Sequence, residues 1–219
     1  MLAEPLCDPV LIASGFKHGF GHKGSQVPEC TVFPVQVHGI EVLEATQRTG
    51  QCESQADAVF ASSPGISVGV VTADCVPILV AARGDKPVVA AIHAGWRGLA
   101  AGVIEKGLDA VRSYSGGSEL VAAVGPAARG CCYEVDAPVR EGLEARYAAH
   151  LEEALIPTSQ DHYQLDLPVL ATRILESSGL GAASIGTAHR VCTICDPVRF
   201  ESYRRDGNQA GRLSHFISL

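Results

Sequence analysis

The chain has 219 residues, 47% of them hydrophobic, the size and composition of one globular domain able to bury about 70% of its unfolded surface. Its 17 basic and 24 acidic side chains leave a net charge of −7, with no Lys/Arg run long enough to track a phosphate backbone, so no nucleic acid partner is expected. The longest apolar run, Ile66 to Ala82, is broken by Asp74 and Pro77 and falls short of the ~30 Å of a bilayer core, so no membrane partner is expected either.

The stretch to about Pro34 is rich in Gly, His and Pro, with short β-like pieces near Leu11–Ala13 and Phe16–Phe20. Stronger strand patterns follow at Val35–Val37 continuing to Glu41–Leu43, at Ala58–Ala61, Ser67–Val71 and Val76–Ala82, and at Val88–Ile92. They are short, Val/Ile-rich and bounded by Gly, Pro or Asp, as buried strands are. The period then changes. Ala100, Val103, Ile104, Leu108 and Val111 recur at helical spacing, which predicts an amphipathic helix over Leu99–Ser113 with Glu105, Lys106 and Asp109 outward. Leu120–Val124 is another strand. Pro138–Leu151 has Asp136 as N-cap; Leu167–Ser178 has Asp166 as N-cap, Pro168 in its first turn and Gly179 as a stop. Arg212–Leu219 is a last strand. Several strand connections are too short for crossover helices, so the pattern predicts one α/β domain with a mixed sheet.

No basic segment followed by an apolar stretch opens the chain, so a cytoplasmic protein with reduced thiols is expected despite eight cysteines. His38, Cys75 and His93 each follow a β-type run and precede a turn. Side chains at neighbouring strand ends converge, and a His/His/Cys set leaves the fourth tetrahedral position of zinc open, as a catalytic site requires. Two other readings use the same residues: turn-capping histidines beside an inert thiol, or a Cys75 nucleophile with His93 or His38 as base and Asp74 tuning the pair.

His93-Ala-Gly-Trp-Arg-Gly98 places two glycines and an arginine where a helix begins, a weak anion signal in which Arg97 offers a charge-assisted hydrogen bond. Trp96 is a core or stacking residue. Cys192-Thr-Ile-Cys195 has C-x-x-C spacing, but a zinc knuckle needs a second pair and the vicinal Cys131-Cys132 is a poor one, so a structural or incidental role is expected. Arg204, Arg205 and Arg212 are the only local basic concentration.

Gln36-Val-His38-Gly39, Thr72-Ala-Asp-Cys75-x-Pro77, His93-Ala-Gly-Trp-Arg-Gly98, Gly125-Pro126 leading into Cys132-Tyr-Glu-Val135, and Cys192-Thr with Ser202-Tyr-Arg-Arg-Asp206 and Gly211-Arg212 occur in this order. Together they resemble the YfiH family, also called the laccase-domain or multicopper polyphenol oxidase-like family. The resemblance runs from about Pro34 to the C-terminus. It implies a three-layer α/β/α sandwich like that of toxin-type cysteine hydrolases. It implies a zinc site on His38, Cys75 and His93, and purine nucleoside phosphorylase activity with adenosine deaminase and methylthioadenosine phosphorylase side activities. Other activities attached to the family are copper-dependent phenol oxidation and correction of peptidoglycan precursors.

Multicopper oxidation needs around ten histidines in close-set H-x-H pairs; this chain has eight and no such pair. One His2Cys site suits zinc, with copper as a possible substitute by affinity order. The expectation is therefore a zinc-dependent purine nucleoside phosphorylase acting on a purine nucleoside and phosphate, as a monomer or homodimer. Cys75, His93 and Asp74 are its catalytic candidates, and Arg97, Lys23, Arg204 and Arg205 hold substrate or phosphate. A Cys-His hydrolase or amidase and a non-catalytic metal-binding protein are the alternatives. Two departures from the family pattern stand out. Residues 1–34 are shortened, with Lys23 where relatives carry Arg, and Ala127-Ala128-Arg129 follows Gly125-Pro126; the first bears on substrate choice.

Overall fold

The computed structural model describes residues 3–48 and 50–219. In chain order the elements are α1 (Pro9–Ala13), β1 (Lys17–Gly19), β2 (Phe33–Val35), β3 (Val42–Glu44), β4 (Gln51–Gln55), β5 (Ala58–Ala61), β6 (Ser67–Thr72), β7 (Val76–Ala82) and β8 (Val88–Ala94). Next come α2 (Trp96–Ala101), α3 (Val103–Ser115), β9 (Leu120–Val124), β10 (Glu134–Asp136), α4 (Ala137–Tyr147), β11 (Leu155–Ser159) and β12 (His162–Leu165). The chain closes with α5 (Leu167–Ser177), β13 (Ile185–Gly186), α6 (Tyr203–Asp206) and β14 (Leu213–Ser218).

A six-stranded sheet in the order β13-β9-β7-β8-β5-β3 forms the centre, with β13/β9 and β3/β5 parallel and the inner pairs antiparallel. This is the expected α/β domain with a mixed sheet. All seven residues of β7 and all seven of β8 are buried, because both faces of the sheet are covered. Ile78, Val80, Ala90 and Ile92 point to the side occupied by α3 and α5; Leu79, Ala81, Val89 and Ala91 point to the other. That second face is filled mainly by the antiparallel sheet β1-β14-β6, with α1 at the β9 end. A three-stranded sheet β10-β12-β11 and the pair β2-β4 complete the fold. No helix among the described residues is long and apolar enough to cross a membrane.

The strand expected over Val35–Val37 and Glu41–Leu43 is two, Phe33–Val35 and Val42–Glu44, and three further elements differ from the sequence pattern. Leu11–Ala13 lies in helix α1, not a β piece, because the Asp8 carboxylate accepts from Val10 N and Pro9 takes the first helical turn. The expected single helix over Leu99–Ser113 is two, broken at Gly102 with φ +94°, where a Cβ would lie 2.6 Å from the Arg146 guanidinium. At α4, Asp136 is the N-cap residue without a side-chain bond, and the helix ends at Tyr147 in a 3-10 turn over Ala148–His150. By contrast α5 starts as expected: Asp166 accepts from Val169 N, Pro168 follows, and Gly179 has φ +94°.

Candidate active site

The strand register builds the site. Antiparallel pairing of β7 with β8 aligns Val76 with Ala94, so the next pair outward is Cys75 opposite Gly95. Pairing of β5 with β8 aligns Ala58 with Ile92, so Asp57 falls opposite His93, and His93 N donates to Asp57 O at 2.7 Å. Both pairs lie at one edge of the sheet. His38 arrives from the loop between β2 and β3, and the three ligand atoms of His38, Cys75 and His93 lie within 4.8 Å of one another. The rings of His38 and His93 meet edge to face at 4.9 Å, and His38 Nε2 is 3.8 Å from Cys75 Sγ.

Asp57, which the sequence pattern did not single out, organises this set. Its carboxylate is fully buried and accepts His93 Nδ1–H on Oδ1 at 2.8 Å, leaving Nε2 for the ligand set. The same carboxylate accepts three successive backbone N–H groups, from Val37, His38 and Gly39. This holds His38 at φ +61°, a conformation costing a non-glycine residue about 1–2 kcal/mol. Burial pushes the Asp57 carboxyl up, but His93 and the backbone donors bring it below the ordinary value. Its only signal in the sequence is an acid immediately before an apolar strand.

Burial also pushes the Cys75 thiol up, yet the His38 and His93 imidazoles hold it down at about 6. Burial disfavours the His93 imidazolium, and its bonds to Asp57 and Cys75 raise it to about 9. Gly95 leaves room for the set: a Cβ there would lie 2.9 Å from Cys75 Sγ and 3.0 Å from His38 Cδ2. Gln36 anchors the incoming loop, its side-chain amide bonding both the N–H and the C=O of Val71.

The three ligands sit between two lobes of a cleft. The larger, about 550 Å³, is lined by Phe33, Gln51, Thr72, Tyr203 and Arg212 among others; the smaller, about 250 Å³, by Trp96, Tyr133, Tyr203 and Arg204, and Arg97 lines both. Arg97 lies over the half-buried Trp96 ring at 4.5 Å, and its guanidinium meets no protein acceptor among the described residues. Arg204 stacks on Tyr133 at 4.6 Å and donates to Glu134 O. Burial, then the nearby Cys75, push the Tyr133 hydroxyl up to about 12, so it is a donor at neutral pH. In the larger lobe Thr72 Oγ1 lies 2.8 Å from His215 Nε2. Gly21 N–H donates to His215 Nδ1, which places the ring proton on Nε2, pointing at Thr72.

Lys23 and Arg205 are elsewhere. Lys23 donates to Pro197 O and pairs with Glu201, lining neither lobe. Arg205 spends its guanidinium on Asp206 and on the carbonyls of Thr193, Ile194 and Phe200. Asp74, at φ +89°, borders the smaller lobe, but its carboxylate already accepts the hydroxyls of Thr193 and Ser202 and the N–H of Arg204. These bonds make it a hub for three segments of the cleft wall. Arg212 follows from the pairing of Leu213 with Thr72, which sets it beside the cleft at the start of β14.

Fold and site thus define a mixed-sheet α/β protein with a His2Cys ligand set of the kind that holds a transition metal, in a cleft walled by arginines. Residues 20–219 match the model of the family described as multi-copper polyphenol oxidoreductase laccase, and the chain belongs to that family. It is similar to a purine nucleoside phosphorylase of Pseudomonas aeruginosa, 37% identical over 84% of this chain and 72% of that one. It is likewise similar to the purine nucleoside phosphorylase YfiH of Escherichia coli, 38% identical over 88% and 75%. Among solved structures, YfiH of Bacillus licheniformis superimposes with a TM-score of 0.78 at 26% identity, over 87% of this chain and 74% of that one. YlmD of Geobacillus stearothermophilus does so with 0.75 at 28%, over 87% and 74%.

Proposed function

We propose that this chain is a purine nucleoside phosphorylase that holds zinc on His38, Cys75 and His93 and releases free base from adenosine, inosine or methylthioadenosine. The observation that carries the reading is the convergence of two imidazoles and a thiol between two cleft lobes, in relatives' company named for this activity. The donor set fits a borderline-soft ion: Asp57 fixes the His93 tautomer, Cys75 is held toward thiolate, and Gly95 leaves the space a Cβ would fill. When bound, zinc on three protein ligands supplies Lewis acidity and an open position for water, the chemistry that would extend the activity to deamination of adenosine.

The remaining work falls to the chain's own groups. Arg97 and Arg204 border the smaller lobe and offer charge-assisted bonds that hold a phosphate dianion against the ribose. A phosphate oxygen attacks C1′, the bond to the purine nitrogen breaks, and the electron pair leaves with the base. The larger lobe takes the nucleoside, with the Thr72 hydroxyl oriented by His215 and the Tyr133 hydroxyl across the ligand set kept protonated for donation. Copper oxidase chemistry is not proposed. His18, His22, His189 and His215 are engaged with backbone groups or Thr72, outside the ligand set.

A second reading draws on the Cys75–His93 pair. A thiol held near 6 beside an imidazole raised to about 9 is also the pattern of a nucleophilic cysteine acting on an amide, as in a peptidoglycan precursor. Chromatography of adenosine and inosine, incubated with and without phosphate beside a Cys75→Ala control, separates the cases. Phosphate-dependent release of purine base, lost in the variant, is expected; inosine from adenosine without phosphate marks deamination. Alkylation-sensitive amide hydrolysis that survives chelation would replace the proposal with the hydrolase. Bound zinc with no turnover would replace it with a metal-binding protein.

A further inference from the structure

Away from the cleft, the fold brings four thiols together: the ligand atoms of Cys131, Cys132, Cys192 and Cys195 all lie within 4.8 Å of one another. The vicinal pair, a poor partner by spacing alone, is made usable by a tight turn in which Cys132 N and Tyr133 N both donate to Arg129 O. The Cys192–Cys195 turn is docked beside it through Ala127, whose N–H and C=O bond Val191 O and Thr193 N. Cys131 Sγ and Cys132 Sγ stand 3.4 and 2.9 Å from Cys195 Sγ, well beyond the ~2.05 Å of a disulfide. Four thiolates about 2.3 Å from a zinc ion have S···S edges of about 3.8 Å; the two contacts to Cys195 are shorter than that edge, and no pair among the four exceeds 4.8 Å.

We propose that Cys131, Cys132, Cys192 and Cys195 form a second, closed metal site that takes a zinc ion through four thiolates. It differs in kind from the first. Four protein ligands leave no position for water or substrate, so the site is structural. What it would hold is a cleft wall. Thr193, inside the Cys-x-x-Cys turn, donates to Asp74 Oδ1 at 2.6 Å, and Arg205 donates to the carbonyls of Thr193 and Ile194. Tyr133, next to Cys132, lines the smaller lobe under Arg204. An ion joining the two turns would tie both segments into one unit behind the cleft.

The test uses the full chain carrying Cys75→Ala, which disables the first site and leaves all four thiols of the second. After loading with zinc and desalting, metal analysis is expected to give one ion per chain against two in the unsubstituted protein. X-ray absorption at the zinc edge should show a shell of sulfur only. Cobalt in its place should give the intense near-ultraviolet thiolate bands of a four-sulfur site. Adding Cys192→Ser and Cys195→Ser should remove the last ion. If that variant does not fold, the sulfur-only shell in Cys75→Ala decides alone. A folded Cys75→Ala protein that retains no metal, a shell containing nitrogen or oxygen, or a disulfide among these cysteines in reductant-treated protein would overturn the proposal. None of these readouts depends on nucleoside turnover, so the site and the enzymatic reading fail separately.

Discussion

Asp57→Asn is the substitution that probes the active site most directly, because it changes one atom in a side chain with no exposure. Each carboxylate oxygen accepts two donors: Oδ1 takes His38 N and His93 Nδ1, and Oδ2 takes Val37 N and Gly39 N. An asparagine must turn its NH2 toward one of these pairs. Turned to Oδ2's partners, it faces two backbone donors and loosens the loop holding His38. Turned to Oδ1's, it forces His93 to accept on Nδ1 and carry its proton on Nε2, removing the lone pair offered to the ligand set. The first orientation loses two hydrogen bonds to a charged acceptor and the second loses one, that of His38 N, each worth about 1.5–3 kcal/mol, so the metal-free protein should lose about 1.5–6 kcal/mol. At about 2–4 °C per kcal/mol for a domain of this size, its melting temperature should fall by about 3 °C or more. Zinc affinity, read by competition with a chromophoric chelator, should fall about 10- to 100-fold. Wild-type zinc affinity together with an unchanged melting temperature would refute the role assigned to Asp57.

Gly95→Ala should weaken zinc binding selectively: the new Cβ meets Cys75 Sγ and His38 Cδ2 while the backbone, at φ −76°, suits alanine, so metal-free stability should fall by only about 1 kcal/mol in a chemical melt. Arg97→Ala should raise the KM for phosphate by about 10- to 150-fold, the equivalent of one charge-assisted hydrogen bond, in steady-state assays with phosphate varied. Arg205→Ala, whose guanidinium binds three carbonyls, should instead lower the melting temperature. His215 is held down at about 3 by burial and the nearby His93, so its ring should stay neutral from pH 8 to pH 5 in nitrogen NMR. The unfolded ring, near 6.5, takes up a proton that the folded one refuses; this group's stabilisation is therefore complete above that value and lost at about 1.4 kcal/mol per pH unit below it. A ring midpoint near 6.5 in the folded protein would contradict this.

The strands that carry the site were legible because they are buried on both faces and therefore written as unbroken apolar runs. β5 has the expected limits, as does β7, while β6 and β8 extend theirs by one and two residues. β4 and β10–β12 were not, since most of their residues face solvent and neither alternation nor apolarity marks them. Leu155–Ser159 and His162–Leu165 pair across a turn at Asp161, φ +60°, without a glycine to announce it. The three ligands were visible as chemistry, two imidazoles and a thiol beside turns. Their partner Asp57 was not, because it is defined by which residue the β5–β8 register sets opposite His93.

The same logic governs charge around the cleft. Lys23 is a phosphate candidate by sequence, but the chain around it bonds Arg199 O through its own N–H and turns the ammonium to Pro197 O and Glu201. β14 then pairs with β6 and brings Arg212 to the larger lobe from the far end of the chain. A cation needs only reach and an open side to serve the site, so any strand end at this edge can supply one. A metal ligand needs a fixed lone pair, and that requires a second residue at a definite register. The ligand set therefore depends on pairing between particular residues, whereas the arginines around it are set by which segments border the cleft.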